Sequence, residues 1–280
     1  MFADNSIKAV QSYLQQKLEK IYSVREIQIF SEMILDALFD LSKTDLILNT
    51  RKFSESELLQ IRAVSKRLIK KEPIQHILGV AHFYGYDFKV NKDVLIPRPE
   101  TEELVALVLE NHKGGKLLDI GTGSGCIPIT LKKENDAFDV WAIDISEDAL
   151  GIASSNASES GAEINFIQSD ILKDNLIDRY DIIISNPPYV LESDKKDMQE
   201  SVLDFEPDLA LFVPDDKALM FYERIASLAI NSLQDSGYLY FEIHESFGQE
   251  AIQMLKEMGF QNIKLYQDLQ GKDRIVSAQK

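Results

Sequence analysis

A chain of 280 residues accommodates one large domain, or a large domain with a small one attached. A hydrophobic fraction of 45% and a charged fraction of 27% are those of ordinary globular proteins and exclude the disordered and collagen-like classes. The net charge of −16 is uneven: 12 Lys/Arg face 10 Asp/Glu through Gly85 and 18 face 36 beyond it, so the acidic C-terminal part repels a phosphate backbone and no nucleic-acid substrate is expected.

The first residues lack the basic and apolar stretches of a secretory leader, and no apolar run reaches the roughly 18 residues of a membrane span, so a soluble, cytoplasmic protein without membrane contact is expected. From Ile7 to Lys71 apolar residues recur at helical spacing, as in Ile27, Phe30, Ile34, Ala37, Leu38 and Leu41, and Ser54 with Glu57 forms a capping box ahead of Leu58, Ile61, Val64 and Leu68. This predicts a helical domain over 1–72. Arg62, Lys66 and Lys70 make a basic stripe on its last helix, read first as a solvated face and second as a dock for an acidic partner. Over 73–99 aromatic and β-branched residues surround turn glycines, which predicts a linking β-hairpin turning near Asn91 to Asp93. From 100 to 280 strands and helices alternate, with strands expected at 116–120, 139–144, 164–170, 181–186, 238–243, 262–266 and 274–279. That alternation predicts an α/β domain with a mostly parallel sheet covered on both faces. Cys126 and the four histidines show no ligand spacing, so no metal is expected. No long exposed apolar face is evident, which suits a monomer.

Two short segments carry chemistry. Leu117-Leu118-Asp119-Ile120 runs into Gly121-Thr122-Gly123-Ser124-Gly125 and then a helix, the setting in which glycines let a ligand approach the backbone. The next strand ends in Asp144, 19 residues after Gly125, where a nucleotide-binding fold places the carboxylate for ribose hydroxyls. Alternatively Asp144 is a helix-start acid preceding Ser146. Asp119 reads as structural, anchoring the loop. The spacing matches neither the usual NAD fingerprint nor a P-loop, and favours a ligand with adenosine but no phosphate.

The second segment is the strand 181–185 followed by Asn186-Pro187-Pro188-Tyr189. Strand ends are where ligands sit in open α/β sheets, and two prolines remove N–H donors and leave carbonyl acceptors. An amide NH2 supplies two complementary donors: one for Asn186 Oδ1, one for the Pro187 carbonyl, with Tyr189 packed against the amide. The nitrogen's out-of-plane face then meets a sulfonium methyl group, and orientation does the work of a base. An exocyclic base amine offers the same donors, so adenine-N6 or guanine-N2 methylation of nucleic acid is the alternative these four residues leave open.

These features, together with 73–79, Phe83-Tyr84-Gly85, 94–102, Glu206-Pro207, Glu242 and 271–274, resemble the release factor glutamine methyltransferase family, also called HemK or PrmC. The resemblance implies a Rossmann-like seven-stranded S-adenosylmethionine-dependent methyltransferase domain behind a helical N-terminal domain that engages the substrate. It implies cofactor contacts at Gly121, Thr122, Gly123, Ser124, Gly125, Asp144, Asp170, Ile171 and Asn186, and substrate contacts and catalysis at Asn186, Pro187, Pro188 and Tyr189. The substrate it implies is the Gly-Gly-Gln glutamine of class-1 peptide-chain release factors, methylated on N5 in translation termination.

Overall fold

The computed structural model describes residues 2–280. They form two compact units, one running to Gly79 and including Gln199–Phe205, the other comprising Val80–Met198 and Glu206–Lys280.

Serines start the first four helices of the first unit. α1 (Ile7–Leu18), α2 (Val24–Phe39), α3 (Lys43–Leu48) and α4 (Glu55–Ile69) follow Ser6, Ser23, Ser42 and Ser54, whose hydroxyls accept N–H groups the helix leaves unpaired. Glu26, Asp45 and Glu57 reach back to complete capping boxes, the last being the one read from the sequence. After α5 (Ile74–Leu78) the unit closes on a core that includes Ile7, Val10, Leu14, Leu18, Ile27, Ile34, Leu35, Ile61 and Leu68. The buried stripe of α2 is Ile27, Ser31, Ile34 and Leu35, and Ala37 stands outside it, exposed. Arg62, Lys66 and Lys70 are exposed.

The second unit opens with a hairpin of β1 (Val80–Phe83) and β2 (Tyr86–Lys89) whose turn is Tyr84–Gly85, which corrects the expected turn at 91–93. Tyr84 and Gly85 both take positive φ, 50° and 82°, the backbone of a two-residue turn matched to strand twist. Residues 91–93 form a separate turn, with Asn91 Oδ1 accepting the Asp93 N–H at 2.8 Å, and Val94, Leu95 and Ile96 follow it as irregular backbone rather than as strand.

There follow α6 (Pro99–Asn111), β3 (Gly115–Ile120), α7 (Cys126–Glu134), β4 (Phe138–Asp144), α8 (Glu147–Ser160), β5 (Ile164–Gln168), β6 (Tyr180–Ser185), β7 (Val190–Leu191), α9 (Glu200–Phe205), α10 (Asp208–Leu211), β8 (Phe212–Val213), α11 (Met220–Ser232), β9 (Leu233–Glu242), α12 (Gly248–Glu257), β10 (Gln261–Gln267) and β11 (Asp273–Gln279). The seven expected strands form one sheet in the order β10-β11-β9-β6-β3-β4-β5. β9, β6, β3, β4 and β5 run parallel, and β11 runs against both its neighbours.

Successive residues of the central strands supply opposite faces. Leu118 and Ile183 pack with Tyr222, Ile225 and Ala229 of α11 and Leu255 of α12; Leu117 and Ile182 pack with Leu104 and Val108 of α6 and Ile129 of α7. Fully burying such a side chain contributes roughly 1.5–3 kcal/mol, so these two layers hold the strand ends in place. The insertion between β6 and α11, with the β7–β8 parallel pair, has no counterpart in the sequence periodicity. Its α9 belongs to the first unit, where Lys71 pairs with Glu200.

Candidate functional site

Strand register determines which residues meet at the carboxyl edge of the sheet. Ile120 pairs with Ile143 on one side and Ser185 on the other, Asp144 pairs with Gln168, and Ser185 pairs with Phe241. The next residues out, Gly121, Asp144, Asn186 and Glu242, and Asp170 two beyond Gln168, therefore emerge along one edge. The Ser185 hydroxyl donates to the Ile120 carbonyl at 2.7 Å, tying β6 to the start of the glycine loop.

A cavity of about 400 Å³ opens at this edge, a size usual for small-molecule sites. Gly121, Gly123, Asp144, Asp170, Ile171, Asn186, Pro187 and Pro188 line it, with apolar walls from Val94, Leu95, Ile145, Leu172, Leu209, Phe221 and Ile225. Gly121 and Gly123 take φ of 79° and 54°, and a Cβ on either would meet no heavy atom within 4 Å, so a ligand can approach the bare backbone. Thr122, Ser124 and Gly125, also expected at the cofactor, do not line the cavity. Thr122 and Ser124 are buried, and a Cβ on Gly125 would stand 2.8 Å from Ile129 Cδ1 and 3.1 Å from Ala153 Cβ, so this glycine permits close packing of α7 on α8.

The loop is not an anion cradle. Gly121 and Thr122 donate their N–H groups to the Ile143 carbonyl, Gly125 donates to the Thr122 carbonyl, and Gly123 donates to Asp144 Oδ2 at 2.8 Å. A phosphate needs such groups free. Asp144 Oδ1 takes the Ser146 N–H at 3.0 Å, while the helix cap itself is the Ser146 hydroxyl, which accepts from Ala149. Burial raises the Asp144 pKa, opposed by backbone hydrogen bonds from Ser146, Gly123 and Ile145, and its two oxygens keep one further acceptor position between them. The hydrogen bond from Lys173 and that from the Leu172 N–H hold the Asp170 carboxyl below its ordinary range. Arg224 fixes the adjoining backbone by donating to the Ile171 carbonyl at 3.0 Å.

Tyr189 does not line the cavity; its hydroxyl donates to Glu242 Oε1 at 3.3 Å, and its ring meets His244 edge-on with centroids 6.0 Å apart. His244 is kept neutral by burial, and its Nδ1 accepts the Ser246 N–H at 3.2 Å. Glu242 also accepts from Thr101, and burial raises its pKa, opposed in part by that hydrogen bond. The apolar walls and Thr101 were absent from the sites expected on residue type alone. Their signal was faint: 94–96 looked like strand, and Leu209 and Phe221 lie where no strand pattern exists.

Comparison with known proteins places the chain. The methyltransferase small domain model matches residues 100–204 and the PrmC N-terminal domain model matches residues 9–79. The release factor glutamine methyltransferase of Flavobacterium psychrophilum is 42% identical over 278 residues, 96% of this chain and 98% of that one. That of Bacteroides thetaiotaomicron is 45% identical over the same shares. The chain belongs to the release factor glutamine methyltransferase family. As a member of it, the protein is a methyltransferase. In fold alone it is similar to a solved methyltransferase from Pyrococcus furiosus, with a TM-score of 0.53 at 16% identity over 81% of this chain and 99% of that one.

Beneath the glycine loop lies Asp119, fully buried. Burial pushes its carboxyl from the ordinary 3.8 up to about 7, opposed in part by the Thr122 hydroxyl and aided by the charge of Asp144. Between those two values the folded chain keeps a proton that the unfolded chain has released. Asp119 therefore stabilises the fold fully below the lower value, and this contribution is lost as pH rises through about 7. Thermal melts of the ligand-free protein and of Asp119→Asn should show the wild type losing stability relative to the variant between pH 5 and 8; a constant difference would contradict the assignment.

Proposed function

We propose that the protein transfers a methyl group from S-adenosylmethionine to N5 of a glutamine side chain, that of the Gly-Gly-Gln motif in class-1 peptide-chain release factors. When bound, this cofactor supplies an electrophilic methyl on a cationic sulfur. The cavity suits it in kind: apolar walls for adenine, a glycine backbone open to close approach, acidic side chains and no free anion cradle. Asp144 accepts from a ribose hydroxyl through its remaining position, and Gly121, Gly123, Asp170 and Ile171 border the same ligand.

The observation that carries the reading is the acceptor pair in the cavity wall at the end of β6, Asn186 and Pro187. An amide nitrogen is a poor nucleophile because its lone pair is delocalised into its carbonyl. Asn186 Oδ1 and the Pro187 carbonyl, by taking its two N–H groups, return electron density to nitrogen and aim its out-of-plane face. After transfer the N-methylated nitrogen carries a positive charge and is strongly acidic; it gives up one N–H proton to solvent water, leaving the neutral N5-methyl amide. Pro188 stiffens the segment and Tyr189 covers the amide, excluding water.

The helices of 1–72, joined through 73–99 to the catalytic residues 100–280, engage the release factor. The enzyme works as a cytoplasmic monomer, without membrane, metal or nucleic-acid substrate. The 36 acidic against 18 basic residues beyond Gly85 disfavour a base amine as acceptor.

Labelled methyl from S-adenosylmethionine should pass to an intact class-1 release factor, and not to the same factor with its Gly-Gly-Gln glutamine changed to alanine, nor to duplex DNA. Equal labelling of the alanine form, or labelling of DNA alone, would move the activity elsewhere. Asp144→Ala should weaken S-adenosylmethionine by roughly 10- to 150-fold in calorimetry, the loss of about 1.5–3 kcal/mol for a hydrogen bond to a charged group. Unchanged affinity would make Asp144 a loop anchor only.

A further inference from the structure

Three hydrogen bonds join both ends of the Asn186–Tyr189 segment to one buried carboxyl. Asn186 Nδ2 donates to Thr101 Oγ1 at 3.3 Å, the Thr101 hydroxyl donates to Glu242 Oε2 at 2.7 Å, and the Tyr189 hydroxyl donates to Glu242 Oε1 at 3.3 Å. Thr101 is 3% and Glu242 1% exposed, so water does not compete for these bonds. Thr101 comes from the first turn of α6 and Glu242 from the end of β9, on elements separate from β6.

The proton inventory of this chain has a consequence. A threonine hydroxyl has one hydrogen, and that of Thr101 is directed at Glu242 Oε2. Once Thr101 commits its hydrogen to Glu242, its oxygen can only accept toward Asn186. An asparagine side chain can turn either its NH2 or its oxygen to such a neighbour, and only the NH2 satisfies an acceptor. Oδ1 then stands at the opposite end of the same amide, in a residue that forms part of the cavity wall. Without the hydroxyl, the amide is free to rotate by half a turn and present donors to the cavity.

We propose that Thr101 and Glu242 are positioning residues that set the polarity of Asn186, holding its amide so that an acceptor, and not a donor, meets the substrate nitrogen. This rests on the reading that Asn186 Oδ1 takes a substrate N–H. Glu242 performs a second task with its other oxygen, accepting from the Tyr189 hydroxyl and so fixing the far end of the segment. Neither residue touches substrate or cofactor. Their effect falls on the fraction of enzyme molecules competent for transfer, and therefore on kcat and not on cofactor binding.

The test compares Thr101→Val, which keeps the branched shape and loses the hydroxyl, Thr101→Ala, which loses both, and Thr101→Ser, which keeps the hydroxyl. For each full-length protein kcat on an intact release factor, the Kd for S-adenosylmethionine and the melting temperature are measured. The expected result is a fall in kcat of roughly tenfold or more in the valine and alanine forms, the scale of one hydrogen bond lost. Their cofactor Kd should stay within about threefold of wild type, and the serine form should return to within about threefold of wild-type kcat. Wild-type kcat in a folded valine or alanine form overturns the proposal, as does a serine form no better than alanine. Failure here while the wild type still labels the release factor leaves the function intact; absence of glutamine-dependent labelling by the wild type removes the function itself.

Discussion

At the end of β6 the polypeptide stops supplying hydrogen-bond donors. Ser185 is the last residue bonded into the sheet, and two of the next three residues are prolines without an N–H. The carbonyls of such a segment find few N–H partners within it and are open to donors brought from the cavity. The proposed substrate is a group with two donors on one nitrogen. The surrounding layers serve to hold this stretch of acceptors rigidly: β3 and β9 flank the strand, α11 and α12 back one face, and α6 and α7 back the other.

The same edge of the sheet carries a second constraint of opposite kind. The glycine loop uses its own N–H groups to tie itself to Ile143, Asp144 and Thr122, so a geometry associated with phosphate binding is present without the free donors that phosphate needs. With Asp144 and Asp170 in the wall, the cavity's fixed charge favours a neutral or cationic ligand. Asp119, buried beneath the loop, holds its proton to higher pH than an exposed carboxyl does.

Much of this was legible from the chain alone. The strands at Leu117, Val140, Ile182 and Leu239 are short apolar runs between turn signals, and serine caps mark the starts of α1 to α4 and α8, so element order followed from local chemistry. The Asn186–Tyr189 segment was legible because consecutive prolines at a strand end have few structural uses. The hairpin turn was misplaced because Asn91 to Asp93 has turn composition, whereas the actual turn includes Tyr84, a residue that rarely takes positive φ. Val94 and Leu95 escaped notice as cavity walls because they lie in irregular backbone without periodicity, and Leu209 and Phe221, on α10 and α11, because a helical pattern does not tell which apolar residue faces a cavity. Thr101 escaped notice because its role depends on long-range proximity to Asn186 and Glu242, 85 and 141 positions away, which no spacing rule encodes.

The most direct test of the acceptor mechanism is the single-turnover rate of methyl transfer to a class-1 release factor by Asn186→Ala, with cofactor and protein substrate both saturating. The account predicts that the variant still binds S-adenosylmethionine within a few-fold of wild type and that the rate falls by roughly 10² or more, the scale for removing one group aimed at developing charge. A rate equal to wild type would show that the nitrogen does not depend on Asn186 for its orientation, and the account would fail.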